Sequence, residues 1–223
     1  MICSKHYNFM YVAVAKTATT LLEDILYKAI TGENKVWDSQ KKQHDPFYIQ
    51  HVYWAAEKNK HVHKHSQWTV LDDNSYTWPG QYTFAFVRNP YDRLVSWYSY
   101  LTQKLTPAEI KAMEANSECG NFLTGENFTN FCIKAPFWIY KNQLEYIEDH
   151  SGNIVTDFIG RFENLQEDFD IVCDKIGIPQ QQLPYKNKSN HKHYTEYYDD
   201  ETRQIVVEKY AKDIELFGYK FGE

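Results

Sequence analysis

Several hallmarks of common protein classes are missing from this sequence. Its four cysteines form no CxxC pair, which disfavours a zinc site. No apolar run reaches the ~18 residues of a membrane span, and the run near the N-terminus is cut short by Lys16, so no secretion signal is expected. Positive charge is not in excess either, because the formal net charge is -6. Nucleic-acid binding by bulk electrostatics is therefore disfavoured. Because neither a secretion signal nor a membrane span is expected, a cytoplasmic location is expected.

The 223 residues are enough for one domain with a sizeable core, so we predict a single domain over residues 1–223. Aromatic residues make up 17% of the chain. They suit an ordinary core first, and flat sugar rings or nucleobases second. A Cys119–Cys132 disulfide would require an oxidising compartment, so without a signal free thiols are expected.

Short apolar strands alternate with amphipathic helices along the chain. The predicted strands are residues 9–14, 82–87 and 154–162, and the predicted helices are residues 21–30, 91–101, 165–176 and 201–210. This alternation predicts an α/β fold, a three-layer α/β/α sandwich around a central parallel sheet.

The first strand and the first helix are joined by a loop that carries a lysine, Lys16, within the sequence AKTATT. A helix N-terminus leaves backbone N–H groups unpaired and attracts anions, so this loop is a candidate phosphate-binding loop. No glycine falls between Tyr11 and Glu23, so the GxxxxGK[ST] motif of P-loop kinases is absent. The alternative interpretation is a solvated lysine beside a plain threonine N-cap.

A second candidate anion site follows the strand YTFAFV. Arg88 comes directly after this strand, and Ser96 lies about two helical turns further on. Ligands of open parallel sheets lie beyond the carboxyl ends of the strands, so we expect Arg88 on the same rim as Lys16. An arginine fork with a hydroxyl suits a terminal phosphate. Arg93 could instead be a structural partner of a carboxylate such as Asp92.

These segments resemble the PAPS-dependent carbohydrate sulfotransferases, especially the uronyl 2-O-sulfotransferase branch. AVAKTATTLL is similar to the family's 5′-phosphosulfate loop, and FVRNPYDRLVSWY to its 3′-phosphate motif. IGRFENLQEDF and YAKDIELFGYKF are similar to its C-terminal half. The similar segments cover roughly a third of the chain in the family's order, and the two anion motifs are specific only as a pair.

The resemblance implies the P-loop-like sulfotransferase fold, the sulfate donor PAPS and no metal. It implies that Lys16 contacts the phosphosulfate and its bridging oxygen, and that Arg88 and Ser96 hold the 3′-phosphate. The residues implied to wrap the 5′-phosphate are Thr17, Ala18, Thr19 and Thr20. The segment QHVYWAAE is similar to the one that carries the catalytic histidine, which maps to His51. The implied partners are the nucleotide donor and an acceptor hydroxyl, most simply that of a saccharide.

Two departures from the family pattern stand out. Ala15 replaces a proline that often precedes the loop lysine, and Ile49 stands where some 2-O enzymes carry a second histidine. The second departure weakens the case for a uronyl acceptor. Family members are often anchored in the Golgi lumen, which would apply here if an N-terminal anchor had been trimmed.

Other residues have open assignments. Glu57 is a second candidate for the catalytic base. The alternating His61, His63 and His65 could bind a metal or attract an acidic acceptor, or belong to a solvated loop. The loop at residues 186–192 could be a lid over the nucleotide or an ordinary charged loop. Arg161 and Phe162 could approach the adenine.

Three rival functions remain open on the sequence. A nucleotide or small-molecule kinase would need a magnesium-binding carboxylate at a strand end. A non-catalytic module would bind PAP, the product that remains when PAPS has lost its sulfuryl group, without needing His51. A sulfotransferase could instead act on a tyrosine, a steroid or another small alcohol.

Overall fold

The computed structural model describes residues 2–32, 65–73, 75–115, 122–123, 127–184 and 192–223. The chain forms two compact units, each made of two stretches of sequence. The first comprises residues 1–87 and 143–186, and the second comprises residues 88–142 and 187–223. The single domain over residues 1–223 stays a prediction.

The first unit is built on a four-stranded sheet with the strand order β1-β2-β3-β4. The strands are β1 (Ile2–Ser4), β2 (Phe9–Val12), β3 (Tyr82–Val87) and β4 (Phe158–Arg161). β2, β3 and β4 are parallel, while β1 pairs antiparallel with β2 at the edge. The predicted α/β class with a parallel sheet is confirmed, and β1 is an addition, since three residues are too few to show a periodicity.

Two predicted strands are shorter than expected. β2 ends at Val12 because the Val14 N–H donates to the Val12 carbonyl (3.2 Å), which turns the chain away from the ladder. β4 begins only at Phe158, and Ile154 forms just an isolated bridge with Glu148. The middle strand β3 has the predicted bounds.

Helices follow the strands as predicted. Those of the first unit are α1 (Thr19–Thr31), α2 (Trp68–Asp73) and α6 (Leu165–Ile176); those of the second are α3 (Pro90–Lys104), α4 (Pro107–Ala115), α5 (Phe128–Lys134), α7 (Asp200–Lys209) and α8 (Ala211–Phe217). α1 ends where the sequence indicates: Gly32 takes a left-handed φ of 73° and its N–H donates to the Lys28 carbonyl. Among the described helices none has the length and apolarity to cross a membrane.

Aromatic side chains on the two central strands form the core of the first unit. Tyr11 stacks on Phe84 with ring centroids 5.2 Å apart, and Phe86 meets Tyr11 edge-on. These three residues are buried. Gly160 on β4 lies against the Phe86 ring, since a Cβ placed on it would come within 2.4 Å of that ring. A glycine is thus required here by close approach.

The second unit has its own aromatic core, and a buried arginine belongs to it. Arg93 on α3 is fully buried, donates to the Lys141 carbonyl (2.9 Å) and lies over the Tyr210 ring. Asn89, the N-cap of α3, donates to the Lys220 carbonyl (3.0 Å) and so ties the helix start to the C-terminal segment. Cys132 in this core is a buried free thiol, whereas Cys119 lies outside the described residues.

The Gly160–Phe86 contact generates a stability prediction. We expect Gly160→Ala to lower the free energy of unfolding by about 1–3 kcal/mol, because the added methyl overpacks a filled core. Urea unfolding measures the change. Phe86→Leu in the Gly160→Ala background should recover part of the loss, and equal costs with and without Phe86 would contradict a steric origin.

Candidate functional site

The loop between β2 and α1 has an unusual backbone. Lys16 and Ala18 both take left-handed φ values, 70° and 61°. Such values cost a non-glycine residue about 1–3 kcal/mol and persist only where surrounding contacts impose them. Strain of this kind marks functional loops, and it occurs here in the segment that the sequence indicates as a phosphate-binding loop.

The N-terminus of α1 has no side-chain cap. Ala18 occupies the N-cap position, so the alternative of a plain threonine N-cap is wrong. The backbone N–H groups of Thr17, Ala18 and Thr19 have no hydrogen-bond acceptor among the described residues. Consecutive N–H groups around left-handed residues form anion-binding concavities, and the helix dipole adds partial positive charge. Lys16, part-buried in the same loop, adds a full charge.

Two of the threonine hydroxyls form hydrogen bonds inside the loop. Thr17 and Thr19 are buried, and both donate to the Val14 carbonyl, at 2.9 and 2.7 Å. Thr20 is the exposed threonine of the loop. Two of the three predicted hydroxyl donors thus serve the backbone, which leaves N–H groups as the main donors that Thr17 and Thr19 can offer a ligand.

Polar groups also lie beneath the loop. Tyr11 and Glu23 are fully buried, on β2 and α1 respectively. Burial and the nearby Glu23 charge raise the pKa of the Tyr11 phenol far above its ordinary value, so it stays protonated. The hydroxyl lies beside Thr17 and Thr19. The loop therefore rests on a protonated phenol rather than on solvent.

An imidazole approaches the start of this loop. The Nδ1 atom of His65 lies 2.7 Å from the carbonyl oxygen of Ala13. A carbonyl oxygen only accepts hydrogen bonds, so Nδ1 must carry the proton and Nε2 holds the lone pair when the ring is neutral. The neutral His65 ring is thus held in the tautomer that carries its proton on Nδ1.

Arg88 and Ser96 belong to the second unit and are both buried. Ser96 lies on α3, and Arg88 directly precedes its N-cap. The Arg88 guanidinium is already paired: its Nε and Nη2 atoms lie 2.8 and 2.7 Å from the same Asp92 oxygen, Oδ2. Asp92 therefore pairs with Arg88, and Arg93 is the core residue described above.

Several predicted residues lie outside the described part of the chain. These are His51, Glu57, His61, His63 and most of the 186–192 loop. Within the described ranges no group of three or more His, Cys, Asp or Glu side chains is placed to hold a metal ion. Arg161 ends β4, where its N–H donates to an Asp168 oxygen, and Phe162 begins the short 3-10 turn that follows.

Two site residues have contacts that the sequence did not predict: Asp92 was expected only as a partner of Arg93, and His65 only as one of three alternating histidines. Asp92 could have been identified, because it follows Arg88 by four residues, the spacing of a helical ion pair. The contact between His65 and Ala13 spans 52 residues of sequence, and no local pattern encodes such a contact.

The structure is that of an α/β protein in which the connection from β2 to α1 combines left-handed residues, a helix start without a side-chain cap, and Lys16. Family comparison specifies the class: the chain belongs to the sulfotransferase family, whose model matches residues 1–220. Sulfuryl transfer is therefore its general chemistry, in preference to the kinase alternative. The family match does not distinguish the carbohydrate 2-O branch.

Two further similarities accompany the family match. An uncharacterized protein of Archaeoglobus fulgidus is 32% identical over 105 residues, which are 46% of this chain and 72% of that protein. A sulfotransferase from Alicyclobacillus acidocaldarius of known crystal structure is 15% identical, with a TM-score of 0.41 over 93% of this chain and 92% of its own.

The strained loop makes a prediction at Ala18. Ala18→Gly should leave the free energy of unfolding unchanged or raise it by up to about 1 kcal/mol, because relief of left-handed strain offsets the entropy of glycine. Ala18→Val should lower it by about 1–2 kcal/mol or more, because a β-branched residue resists positive φ. Urea unfolding measures both.

Ala29, inside the same helix, is the matched control. There glycine should cost about 1 kcal/mol and valine less, which reverses the order seen at Ala18. The same order at both positions would show that Ala18 is not strained.

Proposed function

We propose that this sulfotransferase takes the sulfuryl group from PAPS and transfers it to a hydroxyl, that of a saccharide. The observation that carries the proposal is the uncapped N-terminus of α1, with three backbone N–H groups of the loop unmatched by the described chain and Lys16 beside them. A group of this kind suits a phosphosulfate, which presents several anionic oxygens to donors fixed in advance.

At the 5′ end of the donor, the loop residues take the roles implied by the family resemblance. The N–H groups of Thr17, Ala18 and Thr19 bind phosphate oxygens, and Thr20 adds its exposed hydroxyl. Lys16 contacts the oxygen that bridges phosphorus and sulfur. Negative charge grows on that oxygen during transfer, so Lys16 stabilises the transition state more than the ground state.

Arg88 and Ser96 bind the 3′-phosphate of the donor. A guanidinium has five N–H donors, of which Asp92 engages one at Nε and one at Nη2. The guanidinium fork suits the oxygens of a terminal phosphate, to which it donates charged hydrogen bonds. Ser96 on α3 supplies a hydroxyl as a further donor.

The catalytic base is a histidine, and the chain offers two candidates. The family resemblance favours His51, which lies outside the described residues. The geometry favours His65, whose Nε2 lone pair is fixed by the bond from Nδ1 to the Ala13 carbonyl at the entrance of the loop. A neutral imidazole has a pKa suited to accepting a proton near neutral pH.

The reaction is an in-line displacement in which PAPS supplies the sulfuryl group and a phosphate leaving group. The acceptor oxygen forms a bond to sulfur as the bond from sulfur to the bridging oxygen breaks. The electron pair of the broken bond stays on the phosphate oxygen, and the acceptor proton passes to the imidazole. The saccharide acceptor rests on the family resemblance, and a tyrosine or another alcohol is the alternative.

The first test measures transfer from labelled PAPS to a panel of saccharide, phenol and alcohol acceptors. Lys16→Ala should lower kcat by about 10²-fold, because one stabilising contact to the leaving oxygen is lost. Arg88→Ala should weaken PAP binding by about 10- to 100-fold, because charged hydrogen bonds to the 3′-phosphate are removed. Lys28→Ala, a cation at the other end of α1, is the control and should behave as wild type.

A panel on which the wild-type enzyme transfers sulfuryl only to phenols or simple alcohols would contradict the saccharide assignment. Magnesium-dependent phosphoryl transfer from ATP, with no transfer from PAPS, would overturn the proposal altogether.

A second test separates the two histidines. The base variant, whether His51→Ala or His65→Ala, should lose about 10²- to 10⁴-fold in kcat while PAP binding stays unchanged. The acid limb of the pH–rate profile should disappear with the base and persist in the other variant. Full activity in both variants would remove a histidine base from the mechanism.

A further inference from the structure

The ion pair between Arg88 and Asp92 is largely buried. The two side chains are 8% and 18% exposed. A single carboxylate oxygen, Oδ2, accepts from both Nε and Nη2, at 2.8 and 2.7 Å. Four ion pairs at the surface, among them Asp200 with Arg203, join exposed side chains instead. In such surroundings charges are weakly screened, so Asp92 is a strong internal ligand of Arg88.

We propose that Asp92 is a specificity-determining residue, an internal anion that competes with incoming anions for Arg88. The proposal rests on the proposed function, in which Arg88 receives the 3′-phosphate of PAPS. The carboxylate neutralises the guanidinium, so a monoanion gains little by approaching the pair. A phosphate monoester carries a charge of about -1.5 to -2 near pH 7 and offers three acceptor oxygens, so it draws Arg88 away from one carboxylate.

The position of Asp92 makes this exchange feasible. It lies in the first turn of α3, a 15-residue helix. A carboxylate there is stabilised by the helix dipole and by nearby backbone N–H groups even when its arginine turns to another anion. Within the described chain its second oxygen, Oδ1, accepts no hydrogen bond, so only Oδ2 must be released.

Asp92 also stabilises the free protein. Without it, the buried Arg88 would lose a counter-ion that a ligand would then replace. Removal of the Asp92 charge should therefore lower the stability of the ligand-free protein and strengthen its binding of anions. A residue that merely oriented Arg88 would do the opposite to binding.

The test compares Asp92→Asn with wild type by calorimetry and thermal unfolding. We expect the variant to bind PAP about tenfold more tightly, and to bind inorganic sulfate, titrated alone, about tenfold more tightly as well. Affinity for AMP, which lacks the 3′-phosphate, should not change. Without ligand the variant should melt at a lower temperature than wild type, and sulfate should restore its melting temperature.

Two controls assign the effect to the Arg88 pair. Asp200→Asn removes another first-turn aspartate that pairs with an arginine, but one that is 94% exposed, and it should leave PAP binding unchanged. In an Arg88→Ala background, Asp92→Asn should no longer tighten PAP binding.

Weaker PAP binding by Asp92→Asn, with AMP binding intact, would overturn the competition and show that Asp92 orients the arginine. If wild type bound no PAP, the proposed function would fail. Sulfate would then still test the competition, because it should raise the melting temperature of Asp92→Asn more than that of wild type. Equal sulfate effects on both would refute it.

Discussion

The hydrogen bonds that converge on the Val14 carbonyl determine the form of the candidate site. Thr17 and Thr19 both donate to this oxygen, just beyond the end of β2. With their hydroxyls directed there, neither side chain caps α1, and the N–H groups of Thr17, Ala18 and Thr19 have no acceptor among the described residues. The anion binding that we propose for the loop therefore depends on where the two hydroxyl groups donate their protons, and on the charge of Lys16.

The fold was largely predictable, because its elements have strong local signals. β3 is a run of apolar and aromatic residues that ends at Arg88-Asn89-Pro90, and α6 has clear helical periodicity closed by Gly177. The hydrophobic pattern predicted the ends of β2 and β4 less accurately than the positions of these strands. The early end of β2 depends on one backbone hydrogen bond, from the Val14 N–H to the Val12 carbonyl. Such a hydrogen bond leaves no trace in the hydrophobic pattern of the sequence.

The candidate site was predictable in part, for a similar reason. Arg88 directly follows β3, and Lys16 lies four residues beyond the end of β2, so both places could be inferred from the strand assignments. The roles of their neighbours depend on geometry that spacing does not encode. A threonine in such a loop can donate to a ligand or to its own backbone, and the sequence AKTATT is compatible with both. The tautomer of His65 likewise depends on a carbonyl 52 residues away.

The absence of glycine from the loop has a thermodynamic consequence for recognition. A glycine-rich loop samples many conformations when empty and must become ordered around its ligand, whereas alanine and threonine restrict the chain before any ligand arrives. Lys16 and Ala18 hold left-handed conformations through buried hydrogen bonds of the protein itself. The loop is thus ordered when the protein folds, and the anion site that we propose at this helix start is preorganised.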